Sequence, residues 1–200
     1  MSYITDYCQE ASQIIAALDQ DQIEKMISIL LDVRQNGGRL FFLGVGGSAA
    51  NCSHAVNDFR KIGGFEAYTP VDNVAELTAR TNDEGWNTVF EGWLKGSRIN
   101  AKDAVFVFSV GGGSKEKNIS ANLVYGLDVA KGVGAKILGV VGRDGGYAAK
   151  VADACVIIPP LNLATITPQS ESFQAVVWHM IVSDPRIMVM SNKWESVAVT

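Results

Sequence analysis

A pattern that occurs twice restricts this chain's fold more than anything else: a short apolar run, a glycine turn bearing serine, then a helix. The first copy is Leu40-Phe41-Phe42-Leu43 followed by Gly44-Val45-Gly46-Gly47-Ser48, and the helix it opens carries Asn51, His54 and Asp58. The second is Ala104-Val105-Phe106-Val107-Phe108 followed by Ser109-Val110-Gly111-Gly112-Gly113-Ser114. Apolar runs this short, broken at once by glycine, are strands rather than helices. Strands separated by a helix and more than a hairpin's length run parallel, in a sheet covered on both faces. In such a sheet, ligands bind beyond the carboxyl ends of the strands, where neighbouring turns face each other. Glycines there let the backbone approach a ligand closely. The serine at the first turn sits where free helix N–H groups and the helix dipole favour an anion. Ser48 from the first turn, with Ser109 and Ser114 from the second, can hold one phosphate between them; Ser114 can also cap the helix after it.

Nucleotide binding is the competing use of such turns. The first turn reads Gly-x-Gly-Gly-Ser rather than Gly-x-Gly-x-x-Gly, no acidic strand end follows about 20 residues on, and no Gly-Lys-Ser or Gly-Lys-Thr is present. Phosphate without a nucleotide cofactor fits better.

Apolar residues make up 48% of the 200 positions and charged ones 19%, which is a globular composition. There is no linker or change of composition, so one domain over 1–200 is expected, with a helical hairpin at 1–36 and an α/β sandwich at 37–200. The net charge of -4 argues against nucleic-acid binding. No apolar run is long enough for a membrane helix, and the first residues lack the features of a signal peptide. Cys8, Cys52 and Cys155 are scattered and odd in number, which points to a reducing, cytoplasmic setting.

Helices are expected at 6–18 and 21–35, ahead of the first strand. Such a hairpin either packs on a partner subunit or covers its own sheet. Strands are expected at 40–43, 66–68, 104–108, 136–141 and 155–158. Leu77 to Asn82 leads into a turn, and a helix carrying Val89, Phe90, Trp93 and Leu94 follows. A further helix carries Ile119, Leu123, Leu127 and Val129, and a final one starts near Pro168 and runs towards Ser183. Trp86, Trp93 and Trp178 read as core or interface residues, and Asp144-Gly145-Gly146 as a turn. The chain's two histidines are His54 and His179. His54 and Asp58, four apart, share one helix face; His179, among Val176, Val177, Trp178 and Met180, reads on its own as a core histidine.

Together these residues resemble the sugar isomerase (SIS) family, and within it the phosphoheptose isomerases, over nearly the whole chain. The resemblance rests on the 44–50 turn, His54 and Asp58, Asn82-Asp83, the 109–114 turn and Gly142-Arg143-Asp144-Gly145-Gly146. It implies a flavodoxin-like, three-layer α/β/α sandwich on a five-stranded parallel sheet, assembled as a homotetramer with sites at subunit interfaces. It implies a sugar phosphate as substrate, isomerised between aldose and ketose, as between sedoheptulose 7-phosphate and D-glycero-D-manno-heptose 7-phosphate. The phosphate and sugar would meet Gly46, Gly47, Ser48, Asn82, Asp83, Ser109 and Ser114. Asp58 and His179 would be the acid/base pair, and His54, Asp58, Glu171 and His179 the ligands of a zinc ion. The chain departs from the family pattern at several points. Asp58 replaces a glutamate, Glu171 a glutamine, Val45 an asparagine, and Val110 and Gly111 hydroxyl residues; Asp184-Pro185 should end the last helix early. These departures motivate an alternative reading, a non-catalytic phosphosugar-binding regulator or scaffold of the same fold.

Overall fold

The computed structural model describes residues 2–193. The first and last positions of the expected 1–200 domain lie outside that range. Two helices come first, α1 (Tyr3–Ala16) and α2 (Gln20–Gln35), each opened by a side chain that satisfies a free N–H group. Ser2 Oγ accepts from Thr5 N at 3.2 Å, and Asp19 Oδ1 accepts from Gln22 N at 3.0 Å. There follow β1 (Leu40–Leu43), α3 (Gly47–Lys61), β2 (Ala67–Tyr68), α4 (Val74–Asp83), α5 (Val89–Gly96) and β3 (Ala104–Ser109). The chain continues through α6 (Ala121–Gly132), β4 (Lys136–Val141), α7 (Gly146–Val151), β5 (Ala154–Ile157) and α8 (Ile166–Val182).

All five strands are parallel, in the order β2-β1-β3-β4-β5. This is a doubly wound order with its switch point between β1 and β3, the two strands that end in glycine turns. Every residue of β3 is buried, because successive side chains enter opposite layers. Phe106 and Phe108 join Phe42, Leu138 and Val140 in a core closed by α2, α3 and α8. Val105 and Val107 join Phe41, Leu43 and Ile137 under Phe90, Leu94, Leu123 and Leu127 of α5 and α6. The expected three layers are present.

Of the two roles open to the hairpin, α2 takes that of covering its own sheet. Ile23, Met26, Ile27, Leu30 and Val33 are buried in the first core, and Gln22 Oε1 accepts from the β5 amide of Cys155 at 3.1 Å. The α1 helix is held to the start of α8 by Thr165 Oγ1, which donates to the buried Glu10 Oε1 at 2.6 Å. Its outer face leaves Tyr3, Ile4 and Ile15 exposed.

Three local expectations fail for physical reasons. The stretch that leads into the turn at Glu84-Gly85 is the helix α4, where no helix was expected. None of its residues is buried, so it has no apolar stripe, and Arg80 holds it through i,i+4 ion pairs to Glu76 and Glu84. Ser114 does not cap the helix after it: α6 begins seven residues later at Ala121, with Ser120 at its N-cap. Ser114 closes a tight loop instead, paired in backbone with Ile119, which is 53% exposed and lies outside the helix. As expected, α8 stops at Val182, just before Asp184-Pro185.

Candidate functional site

The first turn is built by Gly46, whose φ of 65° belongs to the left-handed region and whose carbonyl accepts from Ala49 and Ala50 at 3.0 and 3.3 Å. Gly47 begins α3, and a Cβ there would collide with the Glu171 carboxylate. The second turn is braced from behind. Tyr147 N and Ala148 N donate to the carbonyls of Gly113 and Gly112 at 2.8 and 2.9 Å, so the start of α7 buttresses the turn. A Cβ on Gly112 would strike the Gly145 carbonyl, and Gly112 has φ of 67°. Gly145-Gly146 is thus the support of the 109–114 turn, beyond the simple turn read from sequence.

Between the two turns lies a cleft of about 850 Å³, bordered by Ser48, Ser109, Gly111 and Ser114. The three serines expected to share a ligand therefore do share a cleft. Ser109 Oγ accepts from Gly112 N at 3.0 Å, while Ser114 Oγ accepts from Lys117 N at 3.2 Å and donates to Glu116 Oε2 at 3.0 Å, so each hydroxyl first shapes its own loop and that of Ser114 must leave Glu116 to meet a ligand. Arg143, Lys117 and Lys150 also line the cleft, with Glu116 and Asp144 among them, a charged rim with one positive charge in excess. The sequence reading missed this rim, although Arg143 stood in a quoted motif; its φ of 54° is unusual for a side chain of that size.

The second group of polar residues sits further along the same helices. Asp58 is 7% exposed, a buried carboxylate near the end of α3. Its Oδ1 accepts from Asn57 Nδ2 at 2.9 Å. Its Oδ2 faces His179 Nε2 at 3.3 Å, Trp178 Nε1 at 3.4 Å and His54 Nε2 at 3.5 Å. The side chain of His179 is 48% exposed, so this histidine is no core residue. Its Nδ1 lies 2.8 Å from the Ala175 carbonyl, an atom that can only accept. Nδ1 therefore carries hydrogen, and Nε2 is left for a proton or a cation. Trp178, 1% exposed and stacked on Phe108, fixes the α8 backbone beside it.

The ligand atoms of His54, Asp58 and His179 lie within 4.8 Å of one another. Zinc–ligand bonds of roughly 2.0–2.1 Å give a tetrahedron with edges of about 3.3–3.4 Å. The observed His–Asp separations of 3.3 and 3.5 Å match that edge. The second nitrogen of His179 is already anchored to a carbonyl, as ligating histidines usually are. These residues fit zinc.

Two expected members of the site are elsewhere. Glu171 is absent from the His/Asp group: its carboxylate lies at Gly47. Eight residues of helix put about 12 Å of rise between it and His179, and its carboxylate is turned to the glycine turn rather than to the histidines. Asn82 and Asp83 are exposed at the end of α4, bonded to each other at 2.7 Å, and border neither the serine cleft nor the His/Asp group. Helices α3 and α8 run side by side and parallel, Ser48 and Asn51 meeting Gln174, and Asp58 meeting Trp178 and His179. Ten residues of α3 separate Ser48 from Asp58, about 15 Å along the axis. The helix pair thus has a serine end and an imidazole–carboxylate end. Buried Gln174, which links the helices at the serine end, was also missed; its only signal was an amide inside the apolar run Phe173–Trp178.

Comparison with known proteins agrees with this architecture. The family model for the SIS domain matches residues 6–142. The chain is 31% identical over 185 residues to a probable phosphoheptose isomerase of Thermoplasma volcanium, covering 90% of this chain and 89% of that one. It is 30% identical over 191 residues to the lincomycin biosynthesis protein LmbN of Streptomyces lincolnensis, covering 90% and 68%. Among solved structures, the phosphoheptose isomerase GmhA of Neisseria gonorrhoeae superposes with a TM-score of 0.78 at 21% identity, covering 90% of this chain and 95% of that one. With its five-stranded parallel sheet and serine-bearing turns, this chain belongs to the SIS domain family.

Proposed function

We propose that the protein is a sugar-phosphate isomerase that interconverts an aldose and a ketose, with a seven-carbon sugar 7-phosphate as its expected substrate. The observation that carries this reading is the buried Asp58 carboxylate flanked by two half-exposed imidazoles, on the same helix as Ser48 of the serine-lined cleft. The relatives named phosphoheptose isomerase support the substrate class.

The serine end of α3 receives the phosphate: Ser48, Ser109 and Ser114 supply hydroxyls, and Gly46 and Gly47 leave room for close backbone approach. The imidazole–carboxylate end receives the carbonyl end of an extended sugar. Isomerisation removes a proton from the carbon beside the carbonyl, forms an enediol, and returns a proton to the former carbonyl carbon while the hydroxyl proton moves the other way. Nε2 of His179 meets the substrate, and Asp58 beside it stabilises the imidazolium that forms. The pair exchanges one proton with carbon and one with oxygen. Zinc would be held by His54, Asp58 and His179; there it would take the Nε2 lone pair of His179 that otherwise accepts the proton, and would instead polarise the substrate's carbonyl oxygen. Asn82 and Asp83 take part only if a second subunit brings them to the sugar, so we infer a homotetramer with sites between subunits. The exposed apolar face of α1 supports such an assembly. We further infer one domain over 1–200 and a cytoplasmic setting, supported by three free cysteines. Among the described residues, no helix is long and apolar enough to cross a membrane.

A panel of five- to eight-carbon sugar phosphates tests the proposal. Turnover is expected with at least one ketose 7-phosphate, with zinc present by elemental analysis and a lower melting temperature after chelation. Binding of sugar phosphates with no turnover of any would make the protein a phosphosugar-binding regulator instead. No zinc as purified, and no change in melting on adding it, would remove the metal.

A further inference from the structure

We propose that Gln174 is a positioning residue that sets the direction of the Ser48 hydroxyl, making Ser48 a hydrogen-bond donor to the substrate's phosphate. Gln174 is 0% exposed and Ser48 1% exposed, so every polar atom between them must be accounted for. The accounting starts at a main-chain carbonyl. Asn51 Nδ2 lies 2.9 Å from the Glu171 carbonyl oxygen, which can only accept, so that atom of Asn51 is its NH₂ group. The same NH₂ lies 2.8 Å from Gln174, and the Gln174 atom that faces it must be the acceptor Oε1. The other end of the Gln174 amide is then Nε2, which can only donate, and it lies 3.0 Å from Ser48 Oγ. Ser48 Oγ is therefore an acceptor inside the protein, and its own proton is left over. Among the described hydrogen bonds that proton has no acceptor, and Ser48 borders the cleft.

A phosphate dianion offers only acceptors, so it accepts a hydrogen bond from this hydroxyl, while Gln174 occupies one of the two lone pairs of Ser48 Oγ. The relay also joins the two ends of the site. Gln174 lies on α8 five residues before His179, and Ser48 opens the helix that carries Asp58, so seating the phosphate at Ser48 fixes the helix pair that holds the imidazole–carboxylate group. With Val110 and Gly111 unable to donate from side chains, correct orientation of Ser48 matters more here than in a turn rich in hydroxyls.

The inference rests on the phosphosugar reading, and the test separates the two. Isothermal titration of the full-length protein with inorganic phosphate gives an affinity independent of turnover, and with sedoheptulose 7-phosphate an apparent affinity for the equilibrating substrate and product. Gln174→Met, which keeps the volume but donates nothing, is expected to weaken both ligands about tenfold, the worth of one hydrogen bond to a charged group. In a Ser48→Ala background the same change is expected to have less than about a twofold effect, because its effect acts through Ser48. Should Gln174→Met fail to fold by circular dichroism, Gln174→Glu is the second variant; it can only accept, turns the Ser48 proton inward, and is expected to weaken phosphate at least as much. Wild-type binding with undiminished affinity in a folded Gln174 variant, or an equal loss with and without Ser48, overturns the relay alone. No binding of either ligand to the wild type overturns the phosphosugar reading together with the relay.

Discussion

Asp58→Asn is expected to lower turnover of the sugar phosphate by about 1000-fold, within the 10²–10⁴ range typical of lost acid/base groups, while leaving ligand binding nearly intact. Asparagine preserves the shape of the side chain and its contact with Asn57 and gives up only the long 3.4 Å bond from Trp178 Nε1, so the fold should survive. What it removes is the negative charge at 3.3 Å from His179 Nε2 and 3.5 Å from His54 Nε2. Without that charge the imidazolium formed during proton transfer loses its counter-ion, and any zinc at this site loses its anionic ligand. His179→Gln should fall as far, since it removes the group that meets the substrate. Steady-state kinetics with KM and kcat resolved checks both: the loss should appear in kcat. An Asp58→Asn enzyme within tenfold of wild type would mean that the carboxylate is only structural.

The largest expected effect on stability lies away from the site, at Asp103, which is 1% exposed. Its carboxylate accepts from Arg39 N and Asn100 N, both at 2.9 Å, from Arg39 Nε and Nη2 at 3.2 and 2.8 Å, and from Asn100 Nδ2 at 3.1 Å. It thereby ties the start of β1 to the start of β3, the two strands on which the glycine turns depend. The bond to Asp103 also raises the pKa of the Arg39 guanidinium above its usual range. Asp103→Ala strips these donors of their acceptor and leaves Arg39 without its anion, a change that costs about 3–5 kcal/mol when one partner of a buried pair is removed. For a chain of this size that corresponds to a fall in melting temperature of roughly 6–20 °C, measurable by calorimetry. A fall of less than about 3 °C would contradict this account of how the strand starts are joined.

The sheet was legible because its signal is local. A run such as Ala104–Phe108 is apolar at every position since both faces are covered, and the glycines after it end the strand where the turn begins. The pairing of His54 with Asp58 was legible for a similar reason, because four residues along a helix is one face. Helix α4 escaped because ion pairs, not burial, hold it, and apolar periodicity cannot register that. Glu171 shows the other limit. Helical spacing indicates which side a residue takes but not which end of a neighbouring helix it meets, so a glutamate eight residues from His179 reached the glycine turn. Asn82 and Asp83 fell outside both groups because nothing in their local sequence states what packs against the end of α4. Gln174 stood in view as a single amide among apolar neighbours; its meaning lay in a carbonyl and a serine that only the folded helix pair brings to it.

The most direct measurement is NMR of sedoheptulose 7-phosphate incubated with the protein in D2O. The account predicts an aldose heptose 7-phosphate, with solvent deuterium carried by the carbon that receives the proton, and almost none of either signal with Asp58→Asn. Sedoheptulose 7-phosphate that binds yet neither isomerises nor takes up deuterium would contradict the claim that this helix pair moves protons on a sugar phosphate.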